Sequence, residues 1–118
     1  MEMKVARLYA GSDGETHFED IGISLEGQEG NRWVSELKKA GGVRFSESPA
    51  GYESGWHNSS PRLLVVTVAG EAEIEASDGT KRRFVPGDIM LCEDTTGRGH
   101  VVRIVSKQPS RTVSVALD

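Results

Sequence analysis

From Glu71 to Ala76 apolar and acidic residues alternate strictly, and a strand pair with Lys81 to Val85 follows from the turn residues between them. Ala72, Ile74 and Ala76 fall on one side and Glu71, Glu73 and Glu75 on the other. Ser77-Asp78-Gly79-Thr80 then interrupts, and Lys81 to Val85 resumes. A period of two is the repeat of a strand with one buried face. Asp-Gly at the interruption is a tight-turn pair, with Gly79 supplying the positive φ such loops need. A two-residue loop at Asp78-Gly79 would oppose Ile74 to Arg83, whereas a three-residue loop through Thr80 opposes Ile74 to Phe84 and Glu75 to Arg83. The second register matches apolar to apolar and acid to base, so it is the one expected.

The rest of the chain keeps this rhythm: short apolar runs separated by Gly, Pro, Asn and Asp, as in an antiparallel barrel or sandwich. Leu63 to Ala69 is apolar or small throughout and rich in β-branched residues, which reads as a strand covered on both sides. Asp88 to Cys92, Val101 to Val105 and Arg111 to Leu117 supply further strands. Asn31 to Ala40 fits two descriptions. It is either one short helix, capped by Asn31, with Trp33 and Leu37 one turn apart and Gly41-Gly42 at its end, or an irregular excursion holding a buried Trp. No internal repeat or linker is visible, so the 118 residues are expected to form a single domain.

The formal charge of -4 speaks against nucleic acid as a partner, because phosphate binding needs a basic footprint and here the cations are interleaved with acids. Lys81-Arg82-Arg83 reads as a solvated strand face. The N-terminal residues carry charges at Glu2, Lys4 and Arg7 and do not resemble a secretory signal. No apolar run is long enough to span a membrane. With a single cysteine, Cys92, there is no intrachain disulfide, and a cytoplasmic location is expected.

The segment Gly51-Tyr-Glu-Ser-Gly-Trp-His57-Asn-Ser59-Ser-Pro-Arg62-Leu63 through Gly70 resembles the first cupin motif, G-x5-H-x-H-x3-E-x6-G, with both glycines and the first His in place. Ser59 stands where the motif has its second His, and Leu63 where it has Glu. Gly87 to Ile104 is similar to the second motif, G-x5-P-x-G-x2-H-x3-N. There Glu93 and Thr95 hold the Pro and Gly positions, the His falls two residues late at His100, and the Asn position is apolar. Trp56-His57-Asn58, Pro61-Arg62, Ser77-Asp78-Gly79 and Glu93-Asp94-Thr95-Thr96-Gly97 look like a group of small single-domain bacterial cupins. The resemblance spans roughly residues 43 to 105. It implies an all-β jelly-roll barrel, the cupin double-stranded β-helix, with His57 and His100 converging inside it.

If His57 points inward, period-two counting carries Ser59, Leu63, Val65 and Thr67 the same way and leaves Leu64, Val66 and Val68 outside. Those three need a cover, from the N-terminal strands or a second subunit, and a homodimer is expected. A cupin metal takes three or four protein ligands. Here only His57 and His100 are placed by the motifs, so no cofactor, or at most a weakly bound divalent transition metal, is expected. Glu93 or Asp94 could complete a facial triad, and His17 could enter from an N-terminal strand.

Without a metal, His57 and His100 become acid–base candidates, because imidazole gives and accepts protons near neutral pH. Arg62 could hold a carboxylate, phosphate or enolate oxygen with its bidentate fork. Trp56 and Tyr52 could form an aromatic wall for a planar substrate, each with an ordinary core or rim role as its alternative. Cys92 reads as an inert buried thiol, Gly97-Arg98-Gly99 as a turn feeding His100, and Asp94 as the closer of an Asx turn. The function these residues support is acid–base isomerase, lyase or cyclase chemistry on a small anionic or enolisable metabolite. The alternatives are a Fe(II)- or Mn(II)-dependent cupin dioxygenase and a non-catalytic small-molecule binding or sensing module.

Overall fold

The computed structural model describes residues Met1 to Leu117. It contains eleven strands and, among the described residues, no helix. In chain order these are β1 (Glu2–Ala10), β2 (Thr16–Ser24), β3 (Gly27–Glu29), β4 (Arg32–Val34), β5 (Gly42–Ser48), β6 (Leu63–Ala69), β7 (Ala72–Ala76), β8 (Lys81–Phe84), β9 (Ile89–Glu93), β10 (His100–Ile104) and β11 (Ser110–Ala116). A six-stranded sheet in the order β2-β1-β9-β6-β11-β5 faces a three-stranded sheet, β10-β7-β8, and β3-β4 stand apart as a hairpin. The apolar core lies between the two sheets, around Leu8, Ile74, Phe84, Met90, Cys92 and Ile104.

The β7-β8 hairpin keeps the expected faces and shifts the expected register. Ile74 pairs with Arg82, Ala72 with Phe84 and Glu73 with Arg83, so neither Phe84 nor Arg83 is opposite Ile74. The loop has three residues, but they are Ser77-Asp78-Gly79, one position earlier than expected. Ser77 Oγ accepts from the Thr16 amide at 2.7 Å, and the Asp78 amide donates to the Thr16 carbonyl, which draws both residues out of the ladder and onto β2. The Thr80 amide donates to Asp78 Oδ1, and Gly79 at φ 93 turns the chain. A shift of two residues moves no side chain to the other face, so the glutamates stay outside and Ile74 stays buried.

The excursion before β5 follows neither expectation. Gly30-Asn31 forms the two-residue turn of the β3-β4 hairpin, with Glu29 opposite Arg32 and ion-paired to it. Asn31 therefore sits in a turn and caps nothing. Trp33 is 43% exposed and Leu37 wholly exposed. A helical stripe of Trp33 and Leu37 forms only against a surface that buries it, and Gly-Asn between short strands is a hairpin signal that competes with the cap. The N-terminal strands do not cover Leu64, Val66 and Val68 either. β1 pairs in parallel with β9 and β2 with β1, extending the same sheet sideways.

His17 lies on β2 and clamps this region. Its Nδ1 is 2.8 Å from Asp78 Oδ2 and its Nε2 2.9 Å from Asp13 Oδ2. The hydrogen bond with Asp13, then that with Asp78, favours the imidazolium and raises the His17 pKa. A raised folded-state value contributes stability that is full below the unfolded value of about 6.5 and is lost as pH rises through the folded one. Urea midpoints of the wild type should therefore fall, relative to those of His17→Gln, as pH rises from about 6 to about 9. Parallel curves for the two proteins would show that the clamp adds nothing.

Candidate functional site

Between the sheets, open at one end, lies a cavity of about 430 Å³. Its floor is apolar, with Leu63, Val65, Ile74, Phe84, Met90 and Val102 among its lining residues. His57, His100, Tyr52, Asn58, Ser59 and Cys92 also line it.

The two histidines meet because their backbones pair. The His100 amide donates to the His57 carbonyl at 2.9 Å and the His57 amide to the His100 carbonyl at 3.1 Å, an isolated bridge joining the β5-β6 loop to the start of β10. Gly99 permits the approach. It has φ 80, and a Cβ there would lie 2.2 Å from the His57 carbonyl oxygen. The bridge stacks the imidazoles at a tilt, centroids 4.4 Å apart and planes at 52°.

Each ring is anchored through Nδ1. His57 Nδ1 lies 2.9 Å from the Gly55 carbonyl oxygen. A carbonyl only accepts, so that nitrogen carries the proton. His100 Nδ1 lies 2.5 Å from Asp94 Oδ2. Asp94 is fully buried, and its Oδ1 has no hydrogen-bond partner among the described residues. With Nδ1 committed on both rings, Nε2 is the nitrogen each offers to a ligand. His100 is only 3% exposed, while His57 sits at the open rim.

Asp94 thus acts from behind His100. It closes no Asx turn, because its carboxylate takes the imidazole in place of a backbone amide. The Gly97-Arg98-Gly99 turn is fixed from outside the cavity. The Arg98 amide donates to the Gly14 carbonyl, the Gly99 amide to Thr16 Oγ1, and the Arg98 side chain pairs with Glu15. Asn58 Nδ2 donates to the Thr96 and Gly97 carbonyls and holds the same turn.

Of the residues expected to bind substrate, Tyr52 lines the cavity and the other two do not. Trp56 is 54% exposed and lies with Ser77 and Arg98 on the outer surface, because Trp56 and His57 are neighbours on an extended segment and point to opposite sides. Arg62 holds Glu93 Oε2 through Nε at 2.7 Å and its terminal nitrogen at 2.6 Å. Glu93 in turn pairs with Arg7, and Arg7 with Glu19. Burial pushes the Glu93 pKa up, but the hydrogen bonds from Arg7 and Arg62 outweigh it and hold the carboxyl below its usual range. This chain of charges runs along the outer face, as the parity of Arg62 with Leu64 requires. Sequence reasoning missed Arg44, which lines the cavity from β5.

The donors present do not fit a resident transition metal. Glu93 faces away, Asp94 is spent on His100, and His17 belongs to the Asp13 and Asp78 clamp. Burial first, then the nearby Asp94 charge, pushes the Cys92 thiol up to about 12, despite a hydrogen bond from Ser59, so it stays a thiol. No cluster of three His, Cys, Asp or Glu side chains occurs among the described residues. Two imidazoles beside neutral hydroxyls fall short of the usual protein ligand set.

No protein-family model matches the chain, and no curated protein matches it. Solved structures do. A Cupin 2 conserved barrel domain protein from Salinispora arenicola CNS-205 is 24% identical at a TM-score of 0.54, over 64% of this chain and 61% of that one, so the match spans less than two thirds of its length. A cupin domain from Bordetella pertussis Tohama I is 24% identical, with TM-score 0.52, covering 64% of this chain and 79% of that one. A sugar phosphate isomerase of the cupin superfamily from Silicibacter pomeroyi DSS-3 is 18% identical, with TM-score 0.55, covering 99% of this chain and 71% of that one. At such identities the likeness is one of fold, and the fold of this chain is the cupin barrel.

Proposed function

We propose that the cavity performs proton transfer on a small anionic or enolisable ligand, as an isomerase, lyase or cyclase, with His57 and His100 as its acid–base pair. One observation carries this reading: both imidazoles are fixed at Nδ1 and stand side by side with Nε2 free. In that state Nε2 is the basic nitrogen of each ring. His100, nearly buried and held at Nδ1 by Asp94, is assigned the proton-abstracting role, because the carboxylate fixes the ring with Nε2 left for the ligand and faces the charge that forms when Nε2 takes a proton. As the ligand C–H bond breaks, its electron pair moves into an enolate. His57, at the rim, first takes a proton from water at Nε2 and passes it to the neighbouring carbon or oxygen, while His100 releases the abstracted proton to water, so that both rings return to their starting state. The name of the Silicibacter neighbour, a sugar phosphate isomerase, agrees with this reaction class. The unpaired, buried Cys92 agrees with a reducing compartment such as the cytoplasm.

The test is hydrogen–deuterium exchange into carbon-bound positions of a panel of small aldose and ketose phosphates and 2-keto acids in D2O, followed by NMR. The wild type should catalyse exchange on at least one of them. His57→Gln and His100→Gln should fold and lose about a hundredfold or more of that rate. Full exchange by both variants, or none by the wild type, would sink the reading. A binding or sensing module would bind without exchanging.

This chemistry requires no resident metal. Untagged protein purified without chelator should carry well under one equivalent of iron, manganese or zinc by elemental analysis. A full equivalent that disappears in His57→Ala would instead promote the dioxygenase reading.

A further inference from the structure

The wall of the cavity built by β5 and β11 is unlike the rest of the interior. β5 turns Arg44, Ser46 and Ser48 inward, and β11 turns Ser110, Thr112 and Ser114 inward. They align in rungs: Ser48 with Ser110, Ser46 with Thr112, and Arg44 with Ser114, with Thr67 of β6 continuing the middle rung. Ser110, Thr67 and Ser114 are more than nine-tenths buried, at 3%, 5% and 8% exposure. Yet no hydroxyl of this ladder has a hydrogen-bond partner among the described residues, and none is sealed from the cavity. Buried hydroxyls normally have partners, so a ladder of free ones facing a cavity is a surface prepared for a ligand rich in hydrogen-bonding groups.

Arg44 stands at the open end of this ladder. Every other arginine of the chain is held by a carboxylate: Arg7, Arg32, Arg62, Arg82, Arg83, Arg98, Arg103 and Arg111. Arg44 has no such partner among the described residues. No acidic side chain lines the cavity beside it, so its charge is uncompensated there.

We infer that the β5–β11 wall binds a small polyhydroxylated anion, its carboxylate or phosphate on Arg44 and its hydroxyls along the ladder of Ser46, Thr112, Thr67, Ser48 and Ser110. This deepens the proton-transfer reading and rests on it for the reacting end, since the wall and the two imidazoles line the same cavity. A guanidinium fork suits a carboxylate or phosphate. Sites that hydrogen-bond a substrate hydroxyl discriminate strongly against analogues lacking it.

Calorimetric titration with gluconate, glucose 6-phosphate, hexanoate and glucitol tests this. Gluconate or glucose 6-phosphate should bind the wild type, and whichever binds more tightly identifies the head group. Arg44→Gln, at an exposed and unpaired position, should keep the wild-type melting temperature and lose at least tenfold in affinity for that anion. Hexanoate, lacking hydroxyls, and glucitol, lacking charge, should each bind at least tenfold more weakly than it. Equal binding by Arg44→Gln, hexanoate as tight as gluconate, or no binding of either hydroxylated anion would overturn the inference. His100→Gln should retain the binding while it loses exchange. A wild type that binds the anion without exchanging its carbon-bound hydrogens refutes only the reaction, and exchange that survives Arg44→Gln undiminished refutes only the wall.

Discussion

A strand sends successive side chains to opposite faces, and this chain uses that rule in both directions. On β7 the apolar residues face inward, as a core requires, and on β9 Met90 and Cys92 do the same. On β5 and β11 the order is inverted: Val43, Phe45, Val113 and Val115 face out, while Arg44, Ser46, Thr112 and Ser114 face in. The interior therefore divides. Where β1, β9, β7, β8 and β10 converge, Leu8, Ile74, Phe84 and Met90 exclude water. Where β5 and β11 close the other side, hydroxyls leave a wet cavity. The site exists because half the fold carries the core and the other half is released from that duty.

At the seam between the halves stands the Asp94–His100 pair. A carboxylate without solvent exposure and with one oxygen unpartnered is costly to bury, and the hydrogen bond from His100 Nδ1 is the contact that offsets it. Loss of such a donor typically costs about 3–5 kcal/mol when the group left behind is a buried charge. The same contact fixes the ring's tautomer and aim. Stability and orientation are supplied together at one point, and the His57 bridge through Gly99 extends that rigidity to the second imidazole.

Much of this was legible in the residues. Strands β6 to β11 were readable from period two and turn chemistry, and His57 and His100 from the spacing of a family motif, whereas β4 fell where a helix or an irregular excursion was expected. The side taken by each residue of β6 followed from parity once the motif had set His57 inward. What failed did so for identifiable reasons. The β7-β8 register depended on Ser77 and Asp78 binding Thr16, some sixty residues away in sequence, which no local pattern reveals. Trp33 and Leu37 looked helical because their spacing is helical, but a stripe without a partner surface is not buried. Arg62 looked like an anion fork until Glu93 took it. Arg44 was overlooked because Val43-Arg44-Phe45-Ser46 reads as an ordinary strand with its polar side in water. Aligning its apolar residues with Val113 and Val66, themselves outward by parity, would have turned Arg44 into the cavity.

The inversion also sets which part of the barrel is held least firmly. β5 is an edge strand, and inward hydroxyls and an unpaired arginine give it little apolar anchorage to the core. Within the chain its attachment is chiefly its ladder to β11. An anion engaging Arg44 would therefore stabilise β5 in its place, because a ligand that binds only the ordered strand favours that state over any in which the strand is displaced. The ligand wall and the weakest apolar anchorage of the sheet coincide on one strand.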